Sequence, residues 1–393
     1  MRRTAWLQER RMQKFRDVLS RFESGSLSML EAGELLGMSE RNFRRYRERY
    51  EAEGEQGLVD RRLGKASPKR VPEKDRELML ELYGTSYQGW SVKHFYERLV
   101  HDYGFRWGYT WVKTQLHTAG LVSRAVRRGK HRRKRERKPF EGMMLHQDGS
   151  RAQWLAGEPE LDLIVTMDDA TSTIYSAFLV EEESTASTLR ACLETFGEQG
   201  LPASLYTDRG SHYFHTPEAG GKVAKGALTQ VGRALRCLGV EHIAAYSPQA
   251  RGRSERMFAT LQNRLPKELA LAGIREIKAA NRFIKEVYLP RHNASFARPA
   301  PLPEKSFVEV DKAQLVEALC VEEERIVARD NTVVFGNRRL QLPRSHDRAH
   351  YVKAKVKVRR YPDGTLAIFH GPRLLERYDA GGVPQRPNFE IAA

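Results

Sequence analysis

The chain has 393 residues and a net charge of +17 at neutral pH. That length is sufficient for two to four domains with full-sized cores. Its three cysteines, Cys192, Cys237 and Cys320, are far apart, so neither a disulfide framework nor a cysteine-based zinc site is indicated. The sequence has no run of about eighteen apolar residues and no signal-peptide core, which predicts a soluble protein of a reducing, intracellular compartment.

The positive charge is concentrated towards the N-terminus. Residues 1–140 contain 33 Lys and Arg against 18 Asp and Glu, whereas the rest of the chain is close to neutral. Surface lysines that only aid solubility would explain a high net charge but not this segregation. An uneven basic charge favours a polyanionic partner, most simply nucleic acid.

Residues 1–62 predict a helix-turn-helix domain. We expect helices over 5–23, 27–37 and 40–50, with a turn at Gly37 and with Ser39 as the N-cap of the third helix. In such domains the helix after the turn enters the major groove, where arginines contact phosphates and guanines. A small bundle with a basic, solvated face is the alternative. The candidate DNA contacts on the third helix are Arg41, Arg44, Arg45 and Arg47.

Residues 63–122 predict a second domain of helix-turn-helix type. Helices are expected over 73–83, 91–103 and 110–119, and Thr110 is a candidate cap for the last one. That last helix carries only Lys113 and His117 as polar cationic groups. A role in DNA binding is therefore less well supported here than for the first domain.

A basic segment follows, and we assign residues 123–141 as a basic linker. Ten of the sixteen residues 123–138 are Lys or Arg, a density that cannot be buried and that indicates a linker or an extended arm. Lying along DNA, such an arm would neutralise phosphates and release counterions. Its candidate DNA contacts are Arg127, Arg128, Lys130, Arg132, Arg133, Lys134 and Arg135.

Residues 142–298 have an α/β pattern. Strands are expected over 143–148, 161–168, 173–180, 203–207 and 240–244, and helices over 184–196, 228–238 and around Glu255, the last one stopped or kinked by Pro266. Three hairpin-like strands followed by helix, strand, helix, strand and helix is the element order of an RNase H-like fold. Short strands in 299–379 predict a small β-barrel, and 380–393 form a polar tail. The fold class is multidomain α/β.

Three acids stand at positions that this fold can bring together. Asp148 and Asp208 each end a predicted strand, each is followed within two residues by a glycine, and Glu255 starts a helix. Clustered carboxylates repel one another and need cations, and hard oxygen ligands suit Mg²⁺ or Mn²⁺. Two such ions roughly 4 Å apart can activate an attacking oxygen and stabilise the leaving oxygen in phosphoryl transfer.

The sequences around these acids resemble the DDE transposase and retroviral integrase superfamily. The matching motifs are His-Gln-Asp-Gly-Ser at 146–150, Tyr-Thr-Asp-Arg-Gly-Ser-His-Tyr at 206–213 and Ser-Pro-Gln-Ala-Arg-Gly-Arg-Ser-Glu-Arg at 247–256. The likeness extends over about 20–345 and is nearest to bacterial insertion-sequence transposases of the ISNCY type. It implies that Asp148, Asp208 and Glu255 are catalytic metal ligands for two Mg²⁺ or Mn²⁺ ions in each active site.

The resemblance implies a DNA transposase that binds transposon ends, cleaves them and joins the 3′-OH ends to target DNA. A metal-dependent nuclease without strand transfer and a non-catalytic DNA-binding regulator are the alternatives. Two N-terminal DNA-binding modules argue against a general nuclease, and an intact set of acids argues against a regulator. The expected partners are double-stranded DNA and further copies of this chain, as a homodimer or larger DNA-bound assembly. We expect no membrane partner and a cytoplasmic, nucleoid-associated location in a bacterium.

Several neighbouring residues have competing interpretations. Many relatives carry Lys or Arg where Gln262 stands, so Arg251 or Arg264 is expected to contact the terminal base instead. Arg251 and Arg253 complete the candidate DNA contacts. Asp168 and Asp169 fit a hairpin turn better than a ligand role, and His212 fits a structural role better than a catalytic one.

Removing positive charges from the arm and from the first domain should change DNA binding in different ways. Replacing Arg132, Arg133 and Arg135 by Gln should weaken binding to every DNA and reduce the salt slope by roughly one for each phosphate that is no longer neutralised. Replacing Arg44 and Arg45 by Gln should weaken cognate ends more than random DNA, by about 1–3 kcal/mol for each base that these arginines read. Fluorescence anisotropy over a salt series measures both effects. Equal weakening on both DNAs in the second variant would argue against a reading role.

Overall fold

The structure is a computed structural model that describes residues 2–59, 70–124, 136–217, 221–224, 226–246, 252–344 and 348–385. It divides into two compact units, Met1–Leu82 and Tyr83–Ala393, and each is considered by itself. None of the helices in these described ranges is long and apolar enough to cross a membrane.

The first unit is helical. Its core is formed by apolar side chains from three helices and a following 3₁₀ turn, Gly54–Leu58. The helices are α1 (Arg2–Glu23), α2 (Met29–Leu36) and α3 (Glu40–Glu53). The fully buried members of the core are Phe15, Val18, Leu19, Ala32, Phe43 and Leu58.

The turn between α2 and α3 lies at the predicted position. Gly37 ends α2 with φ of 68°, a left-handed conformation that glycine adopts without steric cost. A side chain at Gly33 would place its Cβ 2.7 Å from the Met38 carbonyl oxygen, so the turn packs directly on α2. The Ser39 hydroxyl accepts a hydrogen bond from Asn42 N. The predicted N-cap is therefore confirmed.

Three helices follow residue 70: α4 (Glu73–Thr85), which crosses the division between the units, α5 (Val92–Tyr103) and α6 (Tyr109–Thr118). Ser91 caps α5 by accepting from His94 N. The predicted cap of α6 is wrong, because the helix begins one residue earlier, at Tyr109, after Gly108 in an extended conformation. Thr110 thus lies inside the first turn.

A five-stranded sheet forms the centre of the second unit. Its strand order is β3-β2-β1-β4-β5, with β1, β2 and β3 antiparallel and with β4 and β5 parallel to β1. The sequence of elements is the one on which the RNase H-like prediction rested. The strands are β1 (Leu145–Ala152), β2 (Leu161–Asp168), β3 (Ile174–Val180), β4 (Ser204–Thr207) and β5 (Glu241–Ala244).

Helices cover both faces of this sheet. Helices α7 (Thr185–Gln199) and α8 (Gln230–Cys237) pack with Leu145 and Leu205 on one face, and α9 (Gly252–Leu271) packs with β2 and β3 on the other. Strand β2 is consequently buried at every position. Its sequence nevertheless alternates, with apolar residues at 161, 163, 165 and 167 and polar residues at 162, 166 and 168, so burial on the second face includes polar side chains.

The sequence predicts a stop or a kink of α9 at Pro266, and the stop is excluded because the helix does not end there. A proline inside a helix removes one backbone hydrogen bond and normally costs about 3 kcal/mol. Here Leu261, Leu265 and Leu269 form one buried stripe that extends past the proline. Burial of these side chains offsets the free-energy cost of the proline. Helix propensity alone does not predict this, because the burial depends on residues outside the helix.

The edge strand β3 is protected by two asparagines. Helices α10 (Ile277–Phe283) and α11 (Leu289–Phe296) flank a π-helical turn, Ile284–Tyr288. The Asn281 side chain accepts from Leu179 N at 2.6 Å and donates to Leu179 O at 3.0 Å. Asn293 makes the same pair of bonds with Ile174, at 3.0 and 2.9 Å. Asn293 lies within α11 and thus holds the sheet edge from that helix.

The C-terminal strands form two sheets. The four-stranded sheet has the order β11-β10-β9-β6, and β7 pairs with β8 alone. Barrel closure is thus not confirmed among the described residues. The elements are α12 (Lys312–Ala318), β6 (Val321–Ile326), β7 (Thr332–Phe335), β8 (Arg338–Gln341), β9 (Lys355–Arg360), β10 (Leu366–His370) and β11 (Arg373–Tyr378).

Helix α12, which the sequence did not predict, packs with the central domain. Leu315, Leu319 and Val321 belong to the same apolar cluster as Leu145 and Leu205. Residues 299–321 therefore connect the two regions by packing as well as by chain continuity. The predicted domain boundaries, including the one at 298/299, stay predictions.

Removing either edge asparagine should destabilise the second unit. Asn281→Leu or Asn293→Leu leaves a strand N–H and C=O without their partners and should lower the free energy of unfolding by about 1–3 kcal/mol. Asn263→Leu, at an exposed position of α9, is the matched control and should change it by less than about 0.5 kcal/mol. Urea denaturation followed by tryptophan fluorescence, with buried Trp154 as the reporter in this core, measures the difference. Equal effects of all three changes would contradict the edge-protecting role.

Candidate active site

Strand pairing brings two of the three predicted acids together. Leu145 pairs with Leu205, and His146 with Tyr206, in parallel register. Continuing this register by two residues brings Asp148 level with Asp208. Both acids line one small cleft, whose walls are His146, Gln147, Asp148, Tyr206, Thr207, Asp208 and Ser254.

Asp148 does not end its strand, so that part of the prediction is wrong. Strand β1 continues to Ala152, which pairs with Leu161 of β2, because the hairpin with β2 extends beyond the pairing with β4. Strand β4 ends at Thr207, directly before Asp208, as predicted. Asp148 therefore lies where β1 no longer has its parallel neighbour, and it is only 7% exposed.

The loop after Asp208 is tightly folded. The Asp208 carboxylate accepts a hydrogen bond from Gly210 N at 2.8 Å. A Cβ at Gly210 would lie 3.0 Å from the His212 ring and 3.1 Å from Asp208 Oδ1. A side chain here would have to displace the His212 ring or the Asp208 carboxylate slightly, because the chain turns back against the carboxylate that it follows.

Glu255 lies in the first turn of α9, and its side chain is exposed. The preceding residue, Ser254, is buried and lines the cleft. Glu255 itself is not part of the cleft wall. The structure thus places the third acid next to the cleft without bringing its carboxylate to the other two.

The donor set is suited to a hard cation. In the portion of the chain that the structure describes, no three His, Cys, Asp or Glu side chains come together as a metal-binding group. The two carboxylates that share the cleft provide the oxygen donors that Mg²⁺ and Mn²⁺ prefer. The residues fit such an ion through Asp148 and Asp208, with Glu255 on the adjoining helical turn.

Asp168 ends β2 and Asp169 begins the predicted turn after it, and both are fully buried. Asp169 Oδ1 accepts from His146 Nε2 at 2.7 Å and from the Arg253 guanidinium, while Oδ2 accepts from Lys138 N at 2.8 Å. Burial alone would raise the pKa of Asp169, but the hydrogen bonds from His146 and Lys138 and the charge of Arg253 outweigh it, so the pKa is lowered. The carboxylate is therefore held in its charged form. This network was not predicted from the sequence.

The predicted DNA contacts fall into three groups. Arg41, Arg44 and Arg45 are exposed on α3, whereas Arg47 pairs with Glu51 at 3.1 Å. Arg253 is largely buried in the network around Asp169. Seven arm residues and one loop arginine lie outside the described residues: Arg127, Arg128, Lys130, Arg132, Arg133, Lys134, Arg135 and Arg251.

Gln262 and Arg264, one of the two arginines expected to contact the terminal base in its place, both form hydrogen bonds within the protein. Gln262 donates to Ser150 Oγ at 2.9 Å. Arg264 donates to Glu97 Oε2 at 2.6 Å, and its side chain is only 13% exposed. This arrangement does not present Arg264 to DNA in the way that was expected from the sequence.

Two known proteins resemble this chain over most of its length. A Sinorhizobium fredii protein assigned as a transposase, y4bF, is 30% identical over 367 residues, covering 92% of this chain and 79% of that protein. The chain belongs to the insertion-sequence transposases. The transposase for insertion sequence IS1202 of Streptococcus pneumoniae is 25% identical over 390 residues, covering 87% of this chain and 82% of that protein.

Two further comparisons concern parts of this transposase. A family described as winged helix-turn helix matches residues 31–77, which include the α2–α3 turn. A chain of the simian T-cell lymphotropic virus intasome, solved in complex with PP2A regulatory subunit B56 gamma, is 15% identical. The match covers 72% of this transposase and 92% of that chain, with a TM-score of 0.33.

A fourth acid of the transposase, Glu183, lies beside the site and was not predicted. A Cβ on Gly149 would lie 2.3 Å from Glu183 Oε2. The buried Tyr213 hydroxyl donates to Glu183 Oε1 at 3.2 Å, and His212 Nε2 lies 3.3 Å from the same oxygen. The glycine after Asp148 is the sequence signal, because it indicates a close approach without revealing which residue approaches. The structural role expected for His212 stays a prediction.

A side chain at position 149 should displace Glu183. Gly149→Ala should separate Glu183 from Tyr213 and remove the hydrogen bond between them, lowering the free energy of unfolding by about 1–3 kcal/mol. Glu183→Ala should have a similar effect for the same reason. The double variant should be destabilised by less than the sum of the two single effects, because both changes remove the same hydrogen bond between Tyr213 and Glu183. Chemical denaturation of the four proteins gives the coupling, and strict additivity would contradict the close approach.

Proposed function

We propose that this transposase binds transposon ends, cleaves them and joins their 3′-OH ends to target DNA by two-metal-ion phosphoryl transfer. The observation that carries the proposal is the pair Asp148 and Asp208, which line one cleft from neighbouring parallel strands. Glu255, one residue beyond a wall residue of that cleft, is the third proposed ligand. Membership of the transposase family agrees with this chemistry.

The proposal gives each acid a distinct support. Asp148 is held by the central strand of the sheet, Asp208 by its bond to Gly210 N, and Glu255 by the first turn of α9. Together they would hold two Mg²⁺ or Mn²⁺ ions, which supply activation of the attacking oxygen and stabilisation of the leaving oxygen. The protein's own task is to keep three like charges at fixed positions and to bring DNA against them.

DNA binding is proposed for three regions. The exposed arginines of α3 are suited to groove and phosphate contacts in a helix-turn-helix domain. The basic segment 123–138 would bind the backbone. In the C-terminal sheets, Lys355, Arg338 and Arg339 are exposed, whereas Lys357 and Arg359 are engaged by Glu322. We infer that the exposed cations of these strands contribute to DNA contacts.

We further propose that the transposase acts as a DNA-bound dimer or larger assembly in association with the nucleoid. Strand transfer requires that a selected end and a target duplex be held at one active site. A single chain must therefore bring both DNAs to one cleft, or share that work with another copy.

A strand-transfer assay tests the function. A pre-cut end with a free 3′-OH, mixed with supercoiled plasmid and Mg²⁺, should become covalently joined to the plasmid. An end that lacks only this hydroxyl should assemble without being joined. Asp148→Asn, Asp208→Asn and Glu255→Gln should reduce cleavage and joining to background while end binding stays within about twofold, because each change removes a ligand charge but preserves shape. Glu286→Gln, at an exposed helical position, is the control and should remain active.

The outcomes separate the alternatives. Nicking of both DNAs without any joined product would support a nuclease. Sequence-specific binding with neither cleavage nor joining, in Mg²⁺ and in Mn²⁺, would support a regulator. Substantial joining by one of the three acid variants would remove that residue from the proposed site.

A further inference from the structure

One buried carboxylate connects three separate segments next to the cleft. Asp169 accepts hydrogen bonds from His146 on β1, from Arg253 in the first turn of α9 and from the backbone of Lys138. Asp169 N also donates to Met144 O at 3.0 Å, directly before β1 begins. These segments are distant in sequence, so their relative positions depend on tertiary contacts of this kind.

Two of these partners lie close to proposed catalytic acids. His146 precedes Asp148 by two residues on the same strand, so both side chains are on the same face. Arg253 precedes Glu255 by two residues on the same helical turn. Fixing Arg253 therefore fixes the position and rotation of the turn from which Glu255 projects. Because Glu255 has a long and exposed side chain, that placement determines whether its carboxylate reaches the cleft.

The third partner is the end of the basic segment. Arg253 also donates to Glu136 O at 2.7 Å, so Arg253 contacts both Asp169 and the segment. The Arg137 guanidinium donates to the Asp169 carbonyl at 2.7 Å, to the Ala170 carbonyl at 2.9 Å and to Ser172 Oγ at 2.9 Å. Residues 136–138 are consequently docked on the turn that holds Arg253. The DNA-binding arm proposed above ends at this junction.

We propose that Asp169 is a positioning residue that sets the first turn of α9 against β1, and so places Glu255 relative to Asp148, while anchoring the end of the basic arm. The inference rests on the proposed catalytic role of Glu255. A charged group in this position is strongly required, because removing one partner of a buried ion pair leaves the other charge uncompensated. Asp169 touches no reacting atom in this role and acts through Arg253 and His146.

The neighbouring acid provides a matched comparison. Asp168 is equally buried, but its carboxylate accepts from Gly142 N at 2.9 Å and from Thr171 N and Oγ1 at 2.7 and 2.9 Å. Its donors thus stabilise the turn and the chain before β1, and they come from outside α9. If the only task of Asp169 were to stabilise the turn, the two Asp→Asn variants would behave alike.

Asp169→Asn and Asp168→Asn in the full-length protein distinguish these roles. Single-turnover joining should slow on the order of 10–100-fold in Asp169→Asn, since small misplacements of catalytic groups have effects of this size. Its affinity for cognate ends should stay within about threefold. Amide hydrogen exchange should increase in peptides covering 252–258 and 136–146. Asp168→Asn should lower the thermal midpoint but keep joining within about threefold per folded molecule, with unchanged exchange in 252–258.

Arg253→Gln tests the same interaction from the other side. It should also increase exchange in 252–258, and adding it to Asp169→Asn should reduce joining by less than the product of the single effects, because both remove one interaction. The inference is overturned if Asp168→Asn and Asp169→Asn give the same rates and exchange, or if neither Asp169→Asn nor Arg253→Gln increases exchange in 252–258. Failure of the wild-type protein to join DNA would instead reject the proposed function. The difference in hydrogen exchange between Asp169→Asn and Asp168→Asn would still show whether Asp169 holds the first turn of α9.

Discussion

Two hydrogen-bonded positions, Leu145 with Leu205 and His146 with Tyr206, tie strand β1 to strand β4. Residues sixty apart in sequence become neighbours through this register, and Asp148 and Asp208 follow from it. Two carboxylates that line one cleft repel each other, so packing of the surrounding sheet must keep them in place. Apolar clusters on both faces, with β2 completely buried between them, provide that support.

Close packing around the acids depends on glycines, which have no side chain. Gly149 leaves room for the Glu183 carboxylate, and Gly210 lets the chain fold back on Asp208. Buried polar groups are then satisfied in specific pairs, such as Tyr213 with Glu183. The rigidity that a multi-ligand site requires arises from these contacts rather than from the acids themselves.

The outer strand and the C-terminal end of the core are also held by specific contacts. An exposed edge strand can pair with another chain, and here Asn281 and Asn293 occupy the outer backbone groups of β3. Helix α12 extends the core beyond the integrase-like segment expected from sequence, because Leu315 and Leu319 complete the apolar cluster against α7 and α8. The C-terminal strands therefore start from a helix that is itself part of the core packing.

Local patterns in the sequence determined the bounds of several helices and strands. The residue pattern over 161–168 predicted β2 with its observed bounds, and Ser39 predicted the start of α3, because strand patterning and N-capping depend on residues within a short stretch of chain. The three acids were also found from sequence, through motifs that resemble a known superfamily. Only the tertiary structure decided that β1 runs past Asp148, that α9 continues through Pro266 and that Asp169 connects His146 with Arg253. Each of these depends on partners many residues away, whose burial and hydrogen bonds outweigh the local preference.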